Sequence, residues 1–294
     1  MDVSIITINY NTISLLLDAI DSVIFHTKNL EYEIIVVDNN SSDNSESIIL
    51  HKYGNLVIYV KLSENIGFGR ANNEGAKYAQ GRNIFLLNPD TILLNNAVKT
   101  LSDFLDNNSN AGICGGNLYD NNEQPALSYS MFLPSIAWEI NLLFSCRLER
   151  LIYGKNAQFN FTNEVRKVGY ITGADLMIRA DLFRHLNGFD ADFFMYYEET
   201  ELTYRLKKTG YEVYSIPQAR IIHLEGQALS GNWKKRTKLS LESREKYYQK
   251  TCGKFIIKVC NLIFRINALC KCVMFKFTKN TDKYEYWKFI STNI

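Results

Sequence analysis

The stretch EIIVVDNNSSD, residues 33–43, runs from an aliphatic segment into a polar turn and predicts a β-strand that ends near Asp38. A helical spacing of apolar residues follows it, and this order of strand, turn and helix recurs through the first 115 residues. Strands that alternate with helices are typical of an α/β fold, here a mostly parallel sheet with helices on both faces. The predicted strands are Val3–Ile8, Glu33–Val37, Val57–Val60 and Asn83–Leu87, and the predicted helices are Leu15–Phe25, Ser45–Lys52 and Ala71–Ala79.

The middle of the chain has longer loops with isolated strands. A helix is predicted from Glu198 to Gly210, and the chain is predicted to be helical again from Gly231 to about Lys279. These changes divide the chain into a sheet domain at residues 1–230 and a basic amphipathic helical region at residues 231–294. The other predicted strands are Val168–Thr172, Leu176–Ile178, Glu212–Ile216 and Arg220–Leu224.

Charge is distributed unevenly along the chain. Residues 1–232 hold 18 Lys and Arg against 27 Asp and Glu, a net charge of −9, whereas residues 233–279 hold 13 against 2, a net charge of +11. A basic segment on an acidic body indicates an anionic surface as partner, and no nucleic-acid-binding motif accompanies it. The six cysteines form no CxxC pair and no metal-binding spacing, which favours a reduced, cytoplasmic setting. We expect neither a secretory signal nor a bilayer-spanning segment.

Candidate ligand-binding residues follow the predicted strands, where ligands of parallel sheets bind. Thr7, Asn9 and Tyr10 come at the end of the first strand, and Asp38 ends the second. Asp38 could accept a base N–H from a nucleotide. Alternatively, its Asn- and Ser-rich surroundings could form only a turn, with Asp43 as the cap of the next helix. The residue pattern leaves both interpretations open.

Two further loops carry candidates for diphosphate and metal binding. Residues 65–73, NIGFGRANN, have Asn where a dinucleotide fingerprint needs glycine. They instead deliver Arg70 to a helix start, where it could bind a base or a diphosphate, or the loop could only cap the helix. Asn88-Pro89-Asp90 ends a strand, since proline cannot continue the ladder. Asp90 suits Mg²⁺ or Mn²⁺, which take one or two carboxylates with substrate phosphates, and it equally suits the N-cap of the next helix.

Three carboxylates, Glu198, Glu199 and Glu201, lie within four residues, directly after the aromatic run FFMYY at 193–197. Acidic residues in a first turn stabilise a helix through its macrodipole. A carboxylate fixed at a strand end can also act as a general base. We therefore expect a cation-binding Asp90 and a proton-accepting glutamate to share one cleft.

Six motifs in this order make the chain resemble the family 2 glycosyltransferases with the GT-A fold, especially their bacterial rhamnosyltransferase-like branch. The resemblance covers about residues 1–225, and a helical C-terminal extension follows it. Each motif is short, so the signal comes from their order and spacing. The motifs are TINYN at 7–11, VDNNS at 37–41, NIGFGRAN at 65–72, LNPD at 87–90, TGAD at 172–175 and YEETE at 197–201.

The resemblance implies how a nucleotide would bind. Thr7 and Tyr10, with Asn9 between them, would contact the nucleotide of a UDP- or dTDP-sugar. Asp38 would accept the N3–H of uracil or thymine. Arg70 would support the base or the diphosphate.

The resemblance also implies a metal site and a base. Asn88-Pro89-Asp90 takes the place of the family's DXD motif, so Asp90 would hold Mg²⁺ or Mn²⁺, and His223 could complete the metal or diphosphate site. Asn88 departs from the first Asp of that motif. Glu199 stands where the family has its catalytic Asp and is one methylene longer, which leaves Glu198 or Glu201 as the fallback base.

The chemistry fits these residue types. Displacing a nucleoside diphosphate from a sugar C1 develops negative charge that a divalent cation and Arg stabilise, while a carboxylate takes the acceptor's proton. A single displacement inverts the anomeric centre. The resemblance thus implies an inverting, metal-dependent transfer from dTDP-rhamnose or a UDP-sugar to a lipid-linked saccharide of a bacterial surface polysaccharide, an O-antigen or a capsule. The irregular middle of the chain, including Asp175, would set the choice of sugar.

Two other functions are compatible with this architecture. A sugar nucleotidyltransferase would open with a Gly-rich phosphate loop containing Arg and Lys, and residues 5–11 have none of these. A non-catalytic membrane-bound scaffold would have no need of Asp38, Asp90 and Glu199 together.

The C-terminal region has its own pattern, a polar stripe at helical spacing beside a broad apolar face. A helix of this kind can lie in a bilayer interface, where basic residues add about 1 kcal/mol each near an anionic leaflet. It could also pack on its own domain or on a second subunit, as in a homodimer. The membrane interpretation predicts a cytoplasmic protein peripheral to the inner face of the cell membrane. The stripe consists of Lys250, Lys254, Lys258, Asn261 and Arg265.

Overall fold

The computed structural model describes residues 1–224 and 233–294. In chain order its strands and α-helices are β1 (Val3–Asn9), α1 (Ile13–His26), β2 (Tyr32–Asp38), α2 (Ser45–Tyr53), β3 (Val57–Lys61), α3 (Phe68–Ala76), β4 (Asn83–Leu87), β5 (Thr91–Leu93), α4 (Ala97–Asn107), β6 (Ala111–Tyr119), β7 (Tyr129–Ser130), α5 (Ile136–Leu143), α6 (Arg147–Tyr153), β8 (Arg166–Lys167), β9 (Tyr170–Ile171), β10 (Asp175–Arg179), α7 (Ala180–His185), α8 (Glu198–Lys208), β11 (Glu212–His223), α9 (Trp233–Thr251), α10 (Lys254–Phe277) and α11 (Thr281–Thr292).

One large sheet organises the chain. Its strand order is β3-β2-β1-β4-β10-β6-β11-β5, with β8 beside β11, and β7 pairs with β9 in a small separate sheet. The pairs β1–β2, β2–β3, β1–β4 and β6–β11 are parallel. β10, β5 and β8 run against their neighbours. The prediction of a mostly parallel sheet is therefore confirmed.

Alternate residues of the strands supply two apolar layers, one on each side of the sheet. Val3 and Ile5 of β1 pack in the layer that α1, α2 and α4 cover. Ile6 and Ile8 of the same strand pack in the layer that α3, α7 and α8 cover. Because successive side chains of a strand point to opposite faces, a continuous aliphatic run requires helices on both sides. This part of the prediction is also confirmed.

Most predicted elements of the sheet domain agree with the structure to within a few residues. Two differences concern longer elements. The strands predicted at Glu212–Ile216 and Arg220–Leu224 are one strand, β11, whose register against β6 shifts between Ser215 and Arg220. The segment predicted to be helical as far as Lys279 contains two helices, α9 and α10, because the chain breaks at Gly253, and a third helix, α11, follows Lys279.

The predicted boundary between residues 230 and 231 lies outside the described residues. The helices that follow it pack on the sheet domain. Tyr247 and Tyr248 of α9 are buried against Phe193, which precedes α8. Arg244 of α9 forms a buried ion pair with Glu139 of α5 at 2.8 Å, and the Tyr248 hydroxyl donates to the same carboxylate oxygen at 2.7 Å.

The predicted polar stripe of the C-terminal region needs a correction. Lys250 belongs to α9, where its ammonium group pairs with Asp190 and Asp192 at 2.8 and 2.6 Å. Asn261 of α10 accepts a hydrogen bond from Arg244. Within the described parts of the chain, no helix is long and apolar enough to cross a membrane.

Candidate active site

A cleft of about 450 Å³ opens where β1, β2 and β4 end. Its walls also include the loop after β9, the start of α8 and part of α9. Asp90 and Glu199, which come from distant parts of the sequence, both line it. The sequence-based expectation that these two carboxylates share one cavity is therefore met by the geometry.

The end of β11 places His223 beside Asp90. His223 pairs with Thr91 of β5, and the amide of Leu224 donates to the Asp90 carbonyl at 2.8 Å. The Nε2 atom of His223 is then 3.4 Å from Oδ1 of Asp90. That carboxylate oxygen is buried and has no hydrogen-bond partner among residues 1–224 and 233–294. A buried carboxylate oxygen without a donor is an expected feature of a cation-binding position.

The donor set fits a metal that needs a substrate to complete its coordination. In the described chain no three His, Cys, Asp or Glu side chains gather as a metal-binding group. Asp90 and His223 alone are too few for a protein cage of Ca²⁺ or Zn²⁺. They suit Mg²⁺ or Mn²⁺, since such ions are held by one or two carboxylates together with substrate phosphates. Asn88 also lines the cleft, beside Asp90.

Glu198 and Glu199 begin α8 and both line the cleft. Burial, together with the neighbouring Glu199, raises the pKa of Glu198 well above its ordinary value. Oε2 of Glu198 has no hydrogen-bond partner in the described chain. Burial also raises the pKa of Glu199, against the opposing effect of hydrogen bonds from its own backbone and from Thr200. A raised pKa makes a glutamate a stronger base once it is ionised.

The backbone before α8 is held in an uncommon conformation. Tyr196 and Tyr197 both have positive φ, 71° and 67°. Such strain is tolerated only where the surroundings enforce it. Part of that enforcement comes from Gly67, because the amide of Phe68 donates to the Phe194 carbonyl at 2.9 Å and a Cβ on Gly67 would lie 2.2 Å from that oxygen.

The side of the cleft at the ends of β1 and β2 contains only some of the residues predicted to bind a nucleotide. Tyr10 lines it and is exposed. Asn39 and Asn65 line it beside Tyr10, and the two amide side chains share a hydrogen bond of 3.0 Å. Thr7 is buried in β1 and does not line the cleft.

Asp38 and Asn9 lie beneath this side of the cleft and do not line it. Asp38 accepts from Asn9 Nδ2 at 2.9 Å and from the amide of Ser41 at 2.7 Å. Asn9 also donates to Ser45 and accepts from Thr12. The two side chains thus join the ends of β1 and β2 and shape the turn that carries Asn39, so their contact with a base stays a prediction.

Three other predicted site residues lie away from the cleft, and the structure corrects their placement. Arg70 donates to the Ala191 carbonyl at 2.6 Å, because α3 begins against the loop that precedes α8. Asp175 is fully buried between strands and accepts from the amide of Gly116 at 2.6 Å. Glu201 points away from the cleft, and the guanidinium of Arg205 occupies both its oxygens.

Sequence reasoning missed several lining residues. Arg236 and Ser240 reach the cleft from α9, and Nε of Arg236 is 3.4 Å from the Tyr196 hydroxyl. Trp138 and Tyr170 form an aromatic wall opposite, with ring centroids 6.3 Å apart. The basic cluster at residues 234–236 was visible in the sequence, but only the packing of α9 shows that one member, Arg236, lines the cleft.

Residues 4–184 match the family described as Glycosyl transferase family 2. The chain belongs to the family 2 glycosyl transferases, as its motifs predicted.

Two curated relatives and one solved structure illustrate the similarity. The chain is 36% identical over 113 residues to the minor teichoic acid biosynthesis protein GgaB of Bacillus subtilis, which covers 37% of this chain and 12% of that protein. It is 25% identical over 217 residues to the N-acetylglucosaminyl-diphospho-decaprenol L-rhamnosyltransferase of Mycobacterium tuberculosis, covering 65% and 66%. The chain thus spans only part of the length of either relative.

The similarity in fold to a solved structure extends over nearly the whole chain. The mannosyltransferase PcManGT of Pyrobaculum calidifontis, solved with GDP-Man and Mn²⁺, superimposes with a TM-score of 0.58 at 14% identity, covering 99% of this chain and 83% of that one. At this identity the likeness shows the fold alone. With the strand order above, it confirms the predicted GT-A architecture.

Proposed function

We propose that this protein transfers a sugar, with inversion, from a nucleotide-sugar donor to a hydroxyl group of a saccharide acceptor. The observation that carries the proposal is the meeting of Asp90, His223, Glu198 and Glu199 in one cleft. Neither a sugar nucleotidyltransferase nor a non-catalytic scaffold accounts for these groups as well, since family membership adds glycosyl transfer to the geometry.

Asp90 and His223 would hold a divalent cation, Mg²⁺ or Mn²⁺, against the donor diphosphate. The bound cation would neutralise charge that develops on the leaving nucleoside diphosphate. Arg236, on the α9 wall of the same cleft, adds a fixed positive charge there. It takes the place that the sequence suggested for Arg70.

Glu199 would act as the general base. The acceptor hydroxyl oxygen forms a bond to the anomeric carbon and gives its proton to Glu199. The bond from that carbon to the diphosphate oxygen breaks, and its electron pair leaves with the nucleoside diphosphate. Glu198 is buried beside Glu199, and burial raises the pKa of both carboxyl groups, so the pair resists carrying two negative charges at once.

The donor would be dTDP-rhamnose or a UDP-sugar, and the acceptor a lipid-linked saccharide of a bacterial surface polysaccharide. Support comes from the relatives, one named for teichoic acid biosynthesis and one for rhamnosyl transfer to a diphospho-decaprenol. The aromatic wall of Trp138 and Tyr170 also suits a sugar ring, which presents C–H faces to such groups.

The helix α10 would hold the protein at the inner face of the cell membrane. Its outer face carries an exposed apolar row at helical spacing, with a basic row along one edge, and its opposite face is buried against the body. This combination is typical of interfacial helices on anionic lipid. The apolar row is Phe255, Leu262, Ile266, Leu269, Val273 and Phe277, and the basic row is Lys254, Lys258, Arg265 and Lys276.

Donor binding tests the core of the proposal. Thermal shift with a panel of nucleotide sugars, with and without Mn²⁺, should identify a donor that stabilises the protein, because a ligand of the native state raises apparent stability. Asp90→Asn should weaken binding of that donor in Mn²⁺ by about tenfold, while Asp18→Asn, an exposed change on α1, should not. Equal Mn²⁺ dependence in wild type and Asp90→Asn would reject the metal assignment. No stabilisation by any nucleotide sugar would reject the function.

A further inference from the structure

A second concave surface lies next to the active cleft. This groove of about 420 Å³ shares Ala126 and Leu127 with the cleft, so the two cavities meet at one wall. Leu127 is about half exposed at that wall. A molecule whose reacting hydroxyl lies by Glu199 can therefore continue over Leu127 into the groove.

The charge of the groove differs from that of the body around it. Arg150 and Lys155 line it, and no carboxylate does so among the described residues. Both cations are exposed. Residues 1–232 nevertheless carry a net charge of −9, so a concave surface with only positive charges departs from its surroundings. Such a surface attracts anions, and guanidinium and ammonium groups are the usual partners of phosphate.

The same groove has an aromatic floor. Phe159 is buried and its ring lies 4.7 Å from that of Phe161, which is 44% exposed. The Lys155 ammonium group is 5.4 Å from the Phe161 ring centroid. Phe161 therefore offers an exposed aromatic ring beside a cation, a combination that fits a sugar joined to a phosphate.

We propose that this groove is an acceptor subsite for a phosphate-bearing saccharide, with Arg150 and Lys155 contacting the phosphate and Phe161 contacting the sugar. The inference rests on the proposed function, since it concerns the acceptor of the same cleft. The phosphate could be a diphosphate between sugar and lipid or the phosphodiester of a polyol-phosphate chain, and the two share this chemistry.

Matched acceptor probes test the subsite in the whole chain of residues 1–294. One pair is N-acetylglucosamine joined to an undecyl chain through a diphosphate, and the same glycoside without phosphate. The third probe is a short ribitol-phosphate oligomer. Dissociation constants are measured by calorimetry without donor. Arg150→Glu and Lys155→Glu should each weaken the phosphate-bearing probe that binds by about tenfold and leave the neutral glycoside unchanged.

Two further variants make the result specific. Arg147→Glu makes the same charge change on the same helix, α6, but lies outside the groove, so it should leave all affinities unchanged. Phe161→Leu keeps an apolar side chain and removes the ring, so it should weaken every saccharide probe severalfold. The probe that loses affinity shows which source of phosphate the groove takes.

Several outcomes would overturn the subsite. The first is a wild type that binds the glycoside equally well with and without diphosphate and does not bind the oligomer. The second is an unchanged affinity of Arg150→Glu and Lys155→Glu for the phosphate-bearing probe. The third is a loss of affinity in Arg147→Glu as large as that in the groove variants. Donor binding is measured separately on each variant. If donor binding is normal and the groove variants have no effect, the subsite fails and the proposed function stands. If the wild type binds acceptors but no donor, the proposed function fails.

Discussion

The active cleft buries carboxylate oxygens away from water, whereas the outer face of α10 exposes apolar side chains to water. In the cleft, one oxygen of Asp90 and one of Glu198 are buried without a hydrogen-bond partner in the described chain. On α10, Phe255, Leu262 and Phe277 are 76%, 59% and 83% exposed. A buried unpaired carboxylate costs free energy, and so does hydrocarbon in water. This difference is the reason for proposing partners of different character, a cation with a nucleotide for the cleft and a lipid surface for α10.

The helix α9 lies between these two regions and shows that one basic segment can do more than one thing. Arg236 near its start lines the cleft, whereas Tyr247 and Tyr248 near its end are buried in the body. The net charge of residues 233–279 suggested that the segment forms a single basic surface. The packing instead brings the start of α9 to the cleft, buries the end of α9 in the body and leaves one face of α10 exposed.

The largest effect should come from removing the base on the cleft side of this comparison. Glu199→Gln keeps the shape of the side chain but cannot accept the acceptor's proton, so we expect kcat to fall by about 10² to 10⁴ with donor affinity unchanged. Initial rates and donor dissociation constants, measured on the same preparations, separate the two effects. Near-normal turnover in Glu199→Gln would move the base to another residue.

Glu201→Gln is the matched control for that experiment. Glu201 is one of the three clustered glutamates, but its carboxylate is held by Arg205 outside the cleft. We expect the variant to keep most of its turnover. A loss of rate as large as that of Glu199→Gln would mean that the geometry of α8, and not a proton acceptor, decides the rate.

The sequence predicted the sheet domain well because its signals are local. Each parallel strand buried on both faces is a short aliphatic run, and each ends in a polar turn. The position of Asp90 at the cleft was also predictable, since strand ends of one sheet converge at one edge. Glu199 lines the same cleft from the start of α8 and not from a strand end. The direction in which each side chain points was not predictable from the sequence. Asp175 and Arg70 lie in recognisable motifs, yet one points into the sheet and the other to a loop carbonyl.

The remaining site residues depend on contacts between distant segments. Arg236 reaches the cleft because Arg244 and Tyr248, on the same helix, bind the buried carboxylate of Glu139. These hydrogen bonds join residues more than a hundred positions apart, and no periodic pattern in the sequence predicts them. The groove beside Leu127 has the same origin, since its cations and aromatic rings come from α6 and the segment that follows it, between β6 and β8.

The second prediction tests the α10 side. Leu262→Asp combined with Leu269→Asp places two charges in the exposed apolar row, where they oppose insertion into lipid without disturbing the buried face of the helix. We expect partitioning onto phosphatidylglycerol vesicles to fall by about tenfold or more, as measured by flotation. Asn107→Asp combined with Asn122→Asp adds the same charge at exposed positions of the body and should change partitioning far less.

Two results would contradict the membrane assignment of α10. One is unchanged flotation of the Leu262 and Leu269 variant. The other is a wild type that sediments as a dimer in the absence of lipid and becomes a monomer in that variant, which would make the apolar row a contact between two copies of the chain. Either result would remove the proposed contrast between a cation-binding cleft and a membrane-binding helix.

The smallest effect concerns the stability cost of the cleft itself. The pKa of Glu198 is raised in the folded protein by burial and by Glu199, so between the unfolded value, about 4.3, and the raised one the folded state binds more protons. Stability from this group is therefore fully present below the unfolded pKa and is lost as pH rises through the folded pKa.

Glu198→Gln cannot ionise and avoids that loss. We expect its free energy of unfolding to match the wild type near pH 4 and to exceed it by about 1 kcal/mol at pH 8, measured by urea denaturation. Glu201→Gln should have the opposite sign at pH 8, because it leaves Arg205 without its carboxylate partner. A wild type more stable than Glu198→Gln at pH 8 would show that the buried carboxylate has a partner in the folded protein, and the cleft would then lack the unpaired charge that distinguishes it from α10.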